Sequence, residues 1–263
     1  MLELLNKYIR VFLFIGAGTL FLAACTDTKS KKNTSLPQKN LSHTTKHPLK
    51  KSKESVSKKD SLPKKKKEVV RIPKEELLIK DIINQKNVRS FFLDYGRKNP
   101  ETKLLLKTRL GNMHITLYKQ TPLHRASFIY LIKNGYFNKT CFHRIVKDFI
   151  IQGGWSDQAI VDKYRIQLNR YRLPAEFRKG VNHKRGALSA TRRWVNNPDK
   201  MSSPFEFFIV QTDIDCSHLN GEHTVFGQVT KGFEVIDKIA AVKLDGNSEW
   251  PEVDVDITFE ILD

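Results

Sequence analysis

The residues best placed to do chemistry lie in one short stretch. Phe142-His143-Arg144-Ile145 is followed closely by Phe149-Ile150-Ile151-Gln152-Gly153-Gly154. It sets one arginine and one amide among large apolar side chains along alternating strands. A guanidinium is permanently charged and only donates hydrogen bonds, so it can address a developing lone pair without changing its protonation state. Taken singly, each residue has a plain structural reading: Arg144 as a surface strand charge, His143 as a hydrogen-bonded core histidine, Phe149 as barrel filling. The familiar catalytic signatures are absent. The sequence has no G-x-S-x-G, no glycine-rich phosphate loop ending in Lys-Ser/Thr and no H-E-x-x-H, and its eight histidines are scattered. Neither a metal nor a cofactor is expected, and Cys141 and Cys216 show no C-x-x-C spacing. Both are expected as free, mostly buried thiols.

Strands must position that stretch, and the hydrophobic pattern supplies them. Residues 104–110 and 113–118 alternate around a Gly111-Asn112 turn, the mark of a hairpin. Short apolar strands follow at 142–146, 149–152, 186–190, 205–210, 224–229 and 255–262. Thr121-Pro122 opens a helix that ends at Gly135, and a second helix fits 233–241. Many short strands with two internal helices predict a mainly β domain built as a closed barrel. Upstream, Leu77, Leu78, Ile82, Ile83, Val88, Phe91, Phe92 and Tyr95 recur at mostly helical spacing, which predicts one or two helices on the flank.

Further motifs join the first in order. Gly186-Ala187-Leu188-Ser189-Ala190, Phe207-Phe208-Ile209 and Leu219-Asn220-Gly221-Glu222-His223-Thr224-Val225-Phe226-Gly227 follow Phe142-His143-Arg144 and Gln152-Gly153-Gly154. Together they resemble the cyclophilin family: F-H-R, Q-G-G, G-x-L-S, F-F-I and L-D-G-x-H-x-V-F-G. The similarity covers about 104–262. It implies a closed, eight-stranded antiparallel barrel capped by the helices at 122–134 and 233–241, and a peptidyl-prolyl cis-trans isomerase activity on proline-containing polypeptides.

The resemblance also assigns roles. Arg144 becomes the catalytic residue, Phe149, Ile150, Phe208 and Leu219 the pocket for the proline ring with His223 at its edge, and Gln152 the group holding the substrate carbonyl. Thr191 and Arg192 stand where the family has alanine-asparagine and contacts substrate largely through backbone. Rotation about a peptide bond faces a barrier of about 18 to 20 kcal/mol, and uncatalysed X-Pro exchange takes roughly tens to hundreds of seconds. A fixed donor that hydrogen-bonds the imide nitrogen as it pyramidalises favours the twisted state selectively. Two departures weigh against turnover. Glu206 replaces the glutamine before F-F-I, accepts hydrogen bonds without donating them, and can pair with Arg144 and draw it from substrate. His218 replaces an aromatic wall. They motivate an alternative function, a prolyl-peptide binding or chaperone module with weak turnover. The stretch 155–177 is longer than the family's loops and carries Lys163, Arg165, Arg170 and Arg172, with Arg178 just beyond. It reads as a solvated basic loop or, more sharply, as a clamp for acidic client segments.

The first residues read as an export signal: Lys7 and Arg10, an apolar run over 11–22, then Leu22-Ala23-Ala24-Cys25. This resembles a bacterial lipobox, which makes 1–24 a lipoprotein signal peptide and Cys25 the lipidated first residue. Residues 25–68 follow as a Lys/Ser-rich linker with almost no aromatic or branched apolar residues. Of the chain's formal net charge of +18, 26–68 carries +10, from 14 Lys against Asp27, Glu54, Asp60 and Glu68. A charge concentrated beside a lipid suits anionic headgroups or a self-repelling spacer better than nucleic acid, which is not expected as a partner. The reading is completed by a helical extension at 69–103, an isomerase domain at 104–263, a monomeric state, and a periplasm-facing lipid anchor. Thr26 after Cys25 favours the inner leaflet of the outer membrane.

Overall fold

From Lys103 onward, apolar and polar residues alternate and are interrupted by Gly, Asn and Pro, and each run becomes a strand. The computed structural model describes residues 78–263; the signal, lipidation and linker readings for 1–68 lie outside them. The strands are β1 (Lys103–Thr108), β2 (Gly111–Leu117), β3 (Cys141–Val146), β4 (Ile150–Trp155), β5 (Ala187–Arg192), β6 (Ser202–Val210), β7 (Val225–Lys231) and β8 (Thr258–Ile261). They form one antiparallel sheet in the order β3-β4-β6-β5-β7-β2-β1-β8. The helices are α1 (Val88–Lys98), α2 (Pro122–Lys133), α3 (Ala159–Gln167) and α4 (Phe233–Ala240).

The expected closed barrel is not formed. The sheet is an open half-barrel whose edges stand 9 Å apart. The cause lies in 249–257, which runs along the free edge of β3. Pro251 has no N–H to give a ladder, and Glu252, Asp254 and Asp256 are poor strand formers. The segment therefore meets β3 only at isolated points. Phe142 N donates to Val255 O, Ile257 N to Thr140 O and Ile145 N to Glu249 O, at 2.7 to 3.0 Å. These bonds blunt an edge that would otherwise be open to pairing.

Two local expectations shift. Thr108 pairs with Gly111, so the hairpin tip is Arg109-Leu110 rather than Gly111-Asn112. The Thr108 hydroxyl sets it, accepting from Leu110 N and donating to Gly111 O. The basic stretch after Trp155 is not all loop, because α3 occupies its centre. Val161, Tyr164 and Leu168 recur at helical spacing and are buried. Among the described residues the upstream flank forms one helix, α1, preceded by irregular chain that buries Ile79 and Ile83.

The core is aromatic. Phe128 of α2 packs on Phe137, Phe207, Phe226 and Phe259 with ring centroids 4.6 to 5.6 Å apart. Helix α2 is buried along nearly its whole length, and α1 lies on it through Phe92 and Tyr95 against Tyr130. Arg125 ties the pair together, donating to Gly96 O and Asn99 O at the end of α1, where unpaired carbonyls favour a cation. Cys141 and Cys216 are buried and free.

Candidate active site

Strand β4 is the spine of the site. Gly153 and Gly154 end its catalytic half with no room for side chains. A Cβ at Gly153 would come within 2.6 Å of Ile257, and Gly154 sits at φ +99° with Phe205 O 2.4 Å from where its Cβ would be. The tight approach brings Gln152 opposite Phe208 on β6, and on the other side Gln152 pairs with Arg144 on β3. Between Phe142↔Gly153 and Arg144↔Gln152 the register slips by one residue. That bulge at His143 turns two successive side chains toward Gln152, which a regular strand would send to opposite faces.

Arg144 Nη1 donates to Gln152 Oε1 at 3.4 Å, and Arg144 Nε donates to Glu249 Oε2 at 2.6 Å. The feared Arg144 to Glu206 pairing is not made. Glu206 instead accepts from Gln152 Nε2 at 3.1 Å, lies 3.1 Å from Arg165 of α3 and 3.7 Å from His143 Nε2. Burial alone would raise the Glu206 carboxyl. The hydrogen bond from His143, the Arg165 charge and the Gln152 amide outweigh it and hold it below the usual range.

A groove of about 710 Å³ runs past these groups. Arg144, Phe149, Ile150 and Gln152 line one side; Thr191, Arg192, Glu206, Phe208, Leu219 and His223 complete it. Its apolar end is a separate cluster of Ile150, Phe208, Val210, Leu219 and Val225 with Phe149 packed on it. His223 meets Phe208 edge-on at 5.3 Å and is fixed by Nδ1 on Ala190 O. His218 does not line the groove; it stacks on Phe149 at 5.7 Å and can act only through that ring. Arg192 lines the groove with its guanidinium engaged, bonded to Glu222 O and lying 3.9 Å over Trp194.

Several groups went unforeseen. Trp194 lines the groove and meets His223 at 5.4 Å. His183 stacks on Phe208 at 5.8 Å, with Nδ1 2.9 Å from Asn220 Oδ1 and a buried Nε2 that has no partner among the described residues. Burial pushes its pKa from 6.5 down to about 4, against the pull of Asn220. The unfolded chain takes up this proton between about pH 6.5 and pH 4 while the folded chain does not, so stability falls as pH drops through that window. The expected loss is about 3 kcal/mol. Urea denaturation at stepped pH checks it, with His183→Gln flattening the dependence relative to wild type.

Residues 103–259 match the family model described as cyclophilin type peptidyl-prolyl cis-trans isomerase. This chain belongs to that family. Such cyclophilins are enzymes of class EC 5.2.1.8, catalysing exchange about X-Pro bonds. The chain is 35% identical over 145 residues to a peptidyl-prolyl cis-trans isomerase of Acinetobacter baylyi, covering 54% of this chain and 73% of that one. It is 33% identical over 147 residues to a peptidyl-prolyl cis-trans isomerase-like 1 of Rhizopus delemar, covering 55% and 84%. A crystal structure of a cyclophilin type isomerase from Cryptosporidium parvum superposes with a TM-score of 0.51 at 25% identity, covering 62% of this chain and 98% of that one. In this cyclophilin α3 bears on the site because its Arg165 lies 3.1 Å from Glu206.

Proposed function

We propose that this cyclophilin serves exported proteins from a lipid anchor at Cys25, assisting their folding, with Arg144 as its catalytic residue. The observation carrying the catalytic assignment is the cross-strand pairing of Arg144 with Gln152 beside the apolar pocket of Phe149, Ile150, Phe208 and Leu219. A proline ring fills that pocket and Gln152 fixes the substrate carbonyl. The Arg144 guanidinium, steadied through Nε by Glu249, has its remaining donors for the imide nitrogen as the bond twists. No proton has to move. A charged hydrogen bond of this kind contributes about 1.5 to 3 kcal/mol.

Export and anchoring rest on the Leu22-Ala23-Ala24-Cys25 sequence after an apolar run. Among the described residues no helix is long and apolar enough to cross a membrane. Attachment is assigned to lipid on Cys25 from the small residues Ala23-Ala24 directly before it. Mass spectrometry of the mature chain from cells is expected to find a diacylated Cys25 at its N-terminus; an N-terminus elsewhere overturns the anchor. For folding assistance, the full chain should speed the proline-limited refolding phase of an exported protein.

Glu206 bears on turnover. Because it is held by Arg165, His143 and Gln152, Glu206→Gln is expected to leave kcat/KM within about threefold of wild type. A gain of about tenfold or more in a peptide exchange assay would show that the carboxylate limits catalysis.

A further inference from the structure

The groove carries far more positive charge than its chemistry uses. Besides Arg144, it is lined by Arg165, Arg170, Arg172, Arg192 and Arg193, against the carboxylates of Asp162 and Glu206. Three of the six guanidiniums are already partnered: Arg144 by Glu249, Arg165 by Glu206 and Arg192 by Glu222. Among the described residues the side chains of Arg170, Arg172 and Arg193 make no hydrogen bond or ion pair, and Asp162 is the one lining carboxylate left opposite them.

These cations are held by the fold rather than left on a loose loop. Helix α3 is ended by Asn169 and Arg170, both left-handed at φ +50° and +45°. Asn169 Nδ2 is tied to Ile83 O. Tyr171 is buried, while the flanking Arg170 is exposed and Arg172 half-buried, and both line the groove. Leu173 bridges Ser202, pinning the segment beside the first residue of β6. Ser202 lies six residues along β6 from Phe208 of the proline pocket. At roughly 3.3 Å per residue that is about 20 Å, or about six residues of extended peptide, less the reach of an arginine.

We infer that this rim selects clients with aspartate or glutamate about three to six residues from the proline. The inference rests on the isomerase reading of the same groove and adds the substrate class. Three unpaired guanidiniums at the open end of an apolar slot are complementary to carboxylates on a chain already threaded through it. Partly desolvated charge pairs there add to binding, and salt screens them over about 10 Å at 0.1 M.

The test uses the full chain with peptides of one Ala-Pro bond: a neutral sequence, versions with aspartates at that spacing on the N-terminal or the C-terminal side, and an acidic peptide lacking proline. Affinity by fluorescence titration and turnover by exchange NMR are both measured, at low salt and at about 0.5 M salt. One acidic placement should bind and turn over about tenfold better than the neutral peptide, and most of that gain should vanish at high salt. The variant Arg170→Gln/Arg172→Gln/Arg193→Gln should lose the preference while turning over the neutral peptide as wild type does. Each single substitution should lose part of it. Equal handling of neutral and acidic peptides, with turnover intact, overturns the inference and leaves the isomerase standing. Equal binding of the proline-free peptide overturns it too, since the rim would then be a general polyanion surface. Were no peptide turned over, the isomerase reading would fail, and the titrations alone would decide the acidic preference.

Discussion

Arg144→Ala lowers kcat/KM for X-Pro exchange by between about tenfold and a hundredfold, the equivalent of one charged hydrogen bond made mainly in the transition state. KM changes little, because the apolar pocket of Phe149, Phe208 and Leu219 is untouched. Arg144→Lys fails nearly as badly. A lysine carries a single ammonium, whereas the guanidinium can hold Glu249 through Nε and still direct other N–H groups at the substrate. Exchange NMR on saturated peptide separates the two parameters. A loss below about threefold would move catalysis off this residue.

Glu176→Ala should be the most damaging single change outside the groove. Helix α2 starts with Pro122, and the side chain of Thr121 makes no capping bond to it. The first-turn amides of Leu123 and His124 donate instead to the two oxygens of Glu176, at 3.2 and 2.9 Å, and His124 Nδ1 lies 2.7 Å from the same carboxylate. All three residues are buried. Truncation strands two buried N–H groups and a histidine at the positive end of a helix that forms the centre of the core. The expected cost is about 3 kcal/mol, on the scale of leaving buried donors without an acceptor, or a fall in Tm of roughly 6 to 12 °C. Glu176→Gln keeps one acceptor and should lose less. Thermal denaturation followed by circular dichroism reads both; a fall under about 3 °C for the alanine variant would mean the amides find other partners.

How much of this was legible from sequence depended on how local its cause is. The strands could be read because alternation is a property of six consecutive residues, and α2 because Thr121-Pro122 and Gly135 punctuate it. Helix α3 was passed over because the polar and charged Asp162, Lys163, Arg165 and Gln167 interleave with the buried Val161, Tyr164 and Leu168 in a stretch that looks merely basic. The hairpin tip moved by two residues because a threonine hydroxyl, invisible to glycine-based turn rules, closes it. Barrel closure depends on β3 meeting β8 across more than a hundred residues, and acidic chain at 249–257 prevents the continuous ladder. The site divides the same way. Arg144, Gln152 and Phe208 are adjacent because register places them so. The partners of Arg144 and Glu206, respectively Glu249 and Arg165, come from remote segments that no local pattern connects to them. His183 gave no signal, since a lone histidine acquires its meaning only from the Phe208 ring and the Asn220 amide that surround it.

The central claim is that this groove speeds rotation about X-Pro bonds. Exchange spectroscopy on an Ala-Pro peptide with catalytic amounts of the full chain tests it most directly. The account predicts cis and trans resonances exchanging on the order of a hundredfold or more faster than the tens to hundreds of seconds of the free peptide, with the acceleration cut by about tenfold to a hundredfold in Arg144→Ala. Peptide that binds the groove while its cis and trans forms exchange no faster than in buffer would contradict it.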